Sequence, residues 1–184
     1  MDGKRQRYFF ASHAKRSDTI SLGAAPSFSS QKEYSRLIKS ILSMARKSNA
    51  KNSSLYGKEI RDIQKGKPLT ERAAWGGVAL KNVDVEKNSI RKLLVIRKLG
   101  VLGFEYHRKK HEHLRVVEGL CLIFHSNHRT RNWRRGMLEW RIAKPGDRFY
   151  FRPFDEHGMV AFSNTVIEER STNNLDDLVF VYKL

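Results

Sequence analysis

The chain has 184 residues, 40% of them hydrophobic and 30% charged, and a formal net charge of +17. That length and apolar content suit one compact soluble core with an appendage and exclude a wholly disordered chain. The single cysteine, Cys121, excludes disulfide frameworks and cysteine zinc sites and points to a reducing compartment, while no apolar run approaches the roughly 18 to 20 residues of a membrane span.

Basicity is spread along the chain: residues 1–65 carry +9 and residues 66–184 carry +8. A field of that sign attracts polyanions and phosphorylated small molecules and makes their association depend on salt. The first thirty residues are rich in Lys, Arg and Ser and lack the apolar block of a secretory signal, so residues 1–25 are expected to be flexible and the protein cytoplasmic. An organelle presequence is the alternative; Asp2 and Asp18 count against it.

A helix is expected over residues 31–47. Tyr34, Leu37, Ile38, Ile41, Leu42 and Ala45 recur at helical spacing, and Ser30 with Glu33 forms a capping-box pattern. The apolar stripe is expected to pack on the body of the protein. Lys32, Arg36, Lys39, Arg46 and Lys47 lie on the other face, read as solvated, with contact to nucleic acid or an acidic membrane as the alternative. Lys65-Gly66-Lys67-Pro68 then marks a boundary between a basic N-terminal extension, 1–65, and a second unit, 66–184.

Beyond residue 70 the texture changes to short β-like runs separated by turns. Strands are expected at 92–97, 103–107, 113–117, 120–125, 137–142, 147–151, 159–166 and 178–182. Eight short strands closed by Gly and Pro turns argue for a mainly β protein built as a small antiparallel barrel or double-sheet jelly roll.

Two patterns stand out in this region. Glu105-x-His107, four residues, Glu112, six residues and Gly119 form the first; Pro145-Gly146-Asp147 followed by His157 forms the second. Together they resemble the two motifs of the cupins, the first with a carboxylate in place of the leading His. Within that superfamily the stretch from about Ala74 to Tyr182 is most similar to the small single-domain mannose-6-phosphate isomerase type, through Trp75-Gly76, Glu105-Tyr106-His107 and Glu112-His113 before a valine run. Arg152 and Phe154 replace the Pro and Gly of the second motif, Lys110 stands where the family has Arg, and Leu114 where it has Trp. A rival frame, His111-x-His113 with Glu118, leaves no Gly six residues on.

The resemblance implies a cupin-type barrel in which Glu105, His107, Glu112 and His157 hold one divalent metal. Two imidazoles and two carboxylates suit Zn, Mn or Fe(II), and zinc is the expectation by resemblance. It further implies an anionic or phosphorylated sugar as ligand, with Lys109, Lys110 and Arg148 as substrate contacts, a sugar-phosphate isomerase reaction, and a homodimer. In such a reaction the metal polarises a sugar oxygen and a base moves a proton between adjacent carbons.

One basic segment stands outside these motifs. His128-Arg129-Thr130-Arg131-Asn132-Trp133-Arg134-Arg135 falls between two expected strands, on a hairpin loop. Arg129, Arg131, Arg134 and Arg135 around Trp133 could grip phosphates and stack on bases, clamp an anionic sugar at the barrel mouth, or cover the barrel. The alternative function is therefore a cupin fold reused as a basic, non-catalytic module for nucleic acid or a ribonucleoprotein assembly. Gly-rich phosphate loops, a Gly-x-Ser-x-Gly elbow and His-Glu-x-x-His are absent from the sequence.

Overall fold

A computed structural model describes residues 28, 30–67, 70–127 and 138–182. The first helix, α1, runs Gln31–Lys47; Ser30 stands at its N-cap and its Oγ accepts a hydrogen bond from the Glu33 N–H at 3.3 Å. These are the bounds that the periodicity and the cap predict. A second helix, α2 (Tyr56–Gln64), was not expected: Leu55 at its N-cap offers no side-chain cap, and Gly57 lies in its first turn.

Eleven strands follow among the described residues: β1 Thr70–Ala73, β2 Gly76–Asp84, β3 Ser89–Ile96, β4 Val101–Tyr106, β5 Glu112–Glu118, β6 Cys121–Asn127, β7 Glu139–Ala143, β8 Arg148–Phe151, β9 Asp155–Ala161, β10 Thr165–Thr172 and β11 Val179–Tyr182. They form a six-stranded sheet, β1-β2-β3-β10-β5-β8, and a five-stranded sheet, β11-β4-β9-β6-β7, with every pairing antiparallel. The two pack face to face as the double-sheet jelly roll expected from the sequence.

Two expectations need correction. The run 159–166 is two strands in different sheets, parted by the turn at Phe162–Asn164; it reads as continuous because all but Asn164 of its residues are buried. β1 and β2 were missed because β2 alternates only over its first half and then bulges between Leu80 and Asn82, leaving Lys81, Asn82 and Val83 exposed. The segment 128–137, with its Arg129 to Arg135 cluster, lies outside the described residues, as do residues 1–27; β6 and β7, which flank the cluster, do pair.

The five-stranded sheet is buried on both faces. Tyr34, Ile38, Ile41 and Ala45 of α1 pack on Phe104, Leu122, Phe124, Val160 and Phe162 on its outer side. Cys121, Ile123, Met159 and Ala161 on its inner side meet Leu94, Leu114, Val116 and Ile167 of the six-stranded sheet. Cover from both sides is why Cys121 to Phe124 is an unbroken apolar run rather than an alternating one. α2 covers only the β1–β3 end of the six-stranded sheet, where the Ile63 side chain seats against Gly77.

Gly119 shows how tightly the β5–β6 turn fits. Its φ is +89°, and a Cβ there would stand 2.4 Å from the Asn164 carbonyl oxygen. Only glycine satisfies both demands.

Candidate metal centre

At one end of the barrel the inner faces turn from apolar to charged. Glu105 on β4 stands opposite His157 on β9, and His157 stands opposite His125 on β6. From the facing sheet, Glu112 on β5 enters the same space, and His107 follows directly on β4. The four residues expected to hold a metal are thus brought together: donor atoms of Glu105, His107 and His157 all lie within 4.8 Å of one another, and Glu112 places Oε1 3.3 Å from His107 Nε2 and Oε2 3.1 Å from His157 Nε2.

The second atoms of the imidazoles are already committed. His107 Nδ1 contacts the Asp177 carbonyl oxygen, and His157 Nδ1 the Asp155 carbonyl oxygen at 3.1 Å. A carbonyl can only accept, so each Nδ1 carries a proton and, in a neutral ring, each Nε2 presents its lone pair to the site. Glu112 brings further lone pairs to the same point. His107 Nε2 and Glu112 Oε2 are buried and make no hydrogen bond among the described residues. Acceptors converging in this way call for a cation between them.

In the metal-free chain part of that demand is met by protons and by Lys110. Burial would lower His157, yet Glu112 and Glu105 outweigh it and raise its pKa above the usual histidine value. Burial would raise Glu112, yet the His107 and His157 imidazoles and the Lys110 ammonium hold it well below the usual carboxylate range. Glu105 is pushed up by burial, against the pull of His157 and with that of Glu112. The buried Lys110 ammonium contacts Glu112 and lies 2.9 Å from Glu169, which also receives Lys92 at 3.1 Å.

Asp177, not singled out from sequence, fixes the loop that carries Lys110. Its carboxylate accepts the backbone N–H groups of Arg108, Lys109 and Lys110 at 3.0, 2.5 and 3.0 Å, while its carbonyl holds His107. Seventy residues separate it from His107, so no local spacing could reveal it. His125 and Glu139 were also missed; they continue the row beyond His157, with His125 Nε2 3.4 Å from Glu139 Oε2. Burial, helped by His157, pushes His125 down to about 4, and burial raises Glu139. The alternation Cys121, Ile123, His125 on one face was the available signal.

The turn of the second motif is built here from other residues. Phe154, which stands in the glycine position, has φ +70°, donates its N–H to the His107 carbonyl at 2.7 Å, and stacks on Tyr106 at 6.0 Å between ring centroids. The left-handed conformation costs a bulky residue about 1–2 kcal/mol, which the hydrogen bond and the ring contact offset. Phe151 stacks on His157 with centroids 4.2 Å apart and planes 3° from parallel, shielding that imidazole from water.

The expected substrate contacts are dispersed. Lys110 lies within the cluster, Lys109 is exposed on the adjoining loop, and Arg148 is exposed on the outer face of β8, three residues before Phe151. No helix among the described residues is long and apolar enough to cross a membrane.

No protein-family model and no curated protein matches the sequence. Solved structures do match in shape. CapF of Staphylococcus aureus, a capsular polysaccharide assembling protein, aligns with a TM-score of 0.51 at 14% identity over 62% of this chain and 34% of its own. KdgF from Halomonas sp. aligns at 0.44 and 18% identity over 54% and 80%, and an oxalate oxidase at 0.46 and 17% over 56% and 55%. This chain thus spans about a third of CapF and about half of the oxalate oxidase. The likeness is one of architecture: the protein carries a cupin-type double-sheet jelly roll.

Proposed function

We propose that the protein is a metal-binding cupin whose barrel mouth takes an anionic small molecule, a phosphorylated or otherwise acidic sugar. The observation that carries this reading is the meeting of His107 Nε2, His157 Nε2 and the Glu112 carboxylate around one point, with His107 Nε2 and Glu112 Oε2 buried and making no hydrogen bond among the described residues. Glu105 completes a set of two nitrogen and two carboxylate ligands, which fits Zn, Mn or Fe(II), with zinc preferred by resemblance. When bound, such an ion supplies a Lewis acid for a ligand oxygen. The chain's own groups would orient it: Asp177 and the Asp155 carbonyl set the imidazoles, Phe151 excludes water, and His125 and Glu139 line the adjoining wall. Sugar-phosphate isomerisation is the reaction the resemblance favours, with Lys110 the cation nearest the cluster among the expected substrate contacts.

Elemental analysis after zinc titration tests this reading. Wild-type protein is expected to retain one equivalent, and His107→Ala and His157→Ala to lose it while keeping their far-ultraviolet circular dichroism. A folded wild type that takes up no zinc, manganese or iron sinks the proposal. Chelator-sensitive turnover of mannose 6-phosphate tests the reaction separately.

A second reading, a basic module for nucleic acid, is supported by α1, whose Lys32, Arg36, Lys39, Arg46 and Lys47 are all exposed opposite its buried stripe. Retention of the protein on RNA, weakened by salt and by neutralising these residues, is its expected signature.

A further inference from the structure

The outer face of the six-stranded sheet beyond α2 carries a grid of arginines and flat rings, of which only Arg148 figures in the sugar reading. Register places Arg91 on β3, Arg170 on β10, His113 on β5 and Tyr150 on β8 in one row across four strands. The next row holds Leu93, Glu168, Arg115 and Arg148. Arg152, one residue past β8, lays its guanidinium over the Tyr150 ring at 5.8 Å. Tyr150 itself stacks on His113 with centroids 4.4 Å apart and on His111 at 6.1 Å, and its hydroxyl lies 2.8 Å from His111 Nδ1.

Charge on this face is one-sided. Five arginines share one carboxylate, Glu168, which is bound by Arg91 at 2.5 Å and Arg170 at 3.3 Å. Arg115 and Arg148 are exposed and have no carboxylate partner among the described residues. Every cation in the grid is Arg and none is Lys. Guanidinium forks match phosphate oxygens in pairs and stack on planar groups, which a lysine ammonium cannot do.

We propose that this face binds single-stranded nucleic acid. Four neighbouring strands about 4.8 Å apart give a platform roughly 14 Å wide, on which arginines meet the phosphates and the His111–Tyr150–His113 column receives a base. A flat sheet presents no helix or ribbon to enter a duplex groove, so single strands are preferred. An acidic membrane is disfavoured because the grid offers no exposed aliphatic side chains to insert beside its arginines. The proposal goes beyond the basic-module reading by placing the contact on the sheet, away from α1. Arg148, expected from sequence at a sugar, belongs here to the nucleic-acid surface.

Fluorescence anisotropy of the full-length protein with labelled twelve-nucleotide oligo(U), oligo(dT) and a duplex of equal length tests it. Arg115→Gln/Arg148→Gln is expected to weaken oligo(U) binding at least tenfold and to cut the slope of log K against log salt by about 1.4. Tyr150→Leu, which keeps the apolar bulk but loses the ring stack, is expected to cost about tenfold with an unchanged slope. Thermal unfolding checks that each variant folds. Tighter binding of oligo(U) than oligo(dT) adds the ribose hydroxyl to the recognised groups, and equal binding assigns recognition to phosphate and base; both support the proposal. Duplex bound as tightly as single strand, or phosphatidylserine vesicles captured through the same residues in its place, overturns it. Equal weakening by the charge-matched Lys32→Gln/Lys39→Gln on α1 also overturns it and leaves the basic-module reading standing, whereas a wild type that binds no oligonucleotide removes both.

Discussion

The same strands build two unlike halves of the barrel interior. β9 runs from His157 to Met159 and Ala161, β5 from Glu112 to Leu114 and Val116, and β10 from Ile167 to Glu169, each changing character within two residues on one face. Along β6 the order is Cys121, Ile123, His125. Antiparallel register then gathers every charged end at one mouth and every apolar end at the other. Charged and apolar groups are thus separated along the barrel axis rather than assigned to different strands, so a substitution's position along a strand should predict whether it disturbs an ion network or apolar packing.

The largest test of that separation is Lys110→Met. Removing one partner from a buried ion network leaves Glu112 and Glu169 short of a countercharge, and the metal-free protein is expected to lose about 3–5 kcal/mol of stability in urea unfolding. Adding Glu169→Gln should return most of it. An unchanged midpoint for Lys110→Met would mean that the mouth carries no cohesive burden at all.

Next comes pH, again for chelated protein. Glu112 is depressed in the fold, so its contribution is present above the ordinary carboxylate value of 4.5 and fades as pH falls through the folded value. His157 is raised, so its contribution is present below 6.5 and fades as pH rises through the folded value. The pair therefore adds most between these limits, and His157→Gln is expected to flatten the alkaline limb of the melting-temperature profile. A profile with the same alkaline limb in the variant would detach that limb from the mouth.

Two hydroxyl exchanges give the smaller effects. Cys121→Ser puts a hydroxyl into the apolar half, where Cys121 is fully buried, and is expected to cost about 1–3 kcal/mol in the same unfolding measurement. Ser171→Ala removes a buried hydroxyl that has no hydrogen-bond partner among the described residues on the charged side, and should shift stability by less than about 0.5 kcal/mol. Equal costs would erase the contrast.

Much of this arrangement is legible in the chain, for identifiable reasons. α1 is readable to its ends because a capping serine and a clean stripe coincide. Glu105, His107, Glu112 and His157 are readable because their spacing resembles a motif pair, and Phe154, at the glycine position of the second motif, takes a left-handed conformation without a glycine. Asp177 and Glu169 are not readable, since they reach the site through cross-strand register and loop closure rather than through neighbours in sequence. The arginine grid escapes for the same reason. Arg91, Arg115, Arg148 and Arg170 are scattered singly along the chain and become a surface only when four strands align.

Lys110 has one more consequence. Because this ammonium is part of the polypeptide, the acidic groups at the barrel mouth acquire a counter-ion as soon as the strands close, with no dependence on what the surrounding medium supplies. Newly made chains can therefore reach their final shape without an added cation, and an ion taken up under the proposed function would enter an assembled scaffold rather than have to fold one.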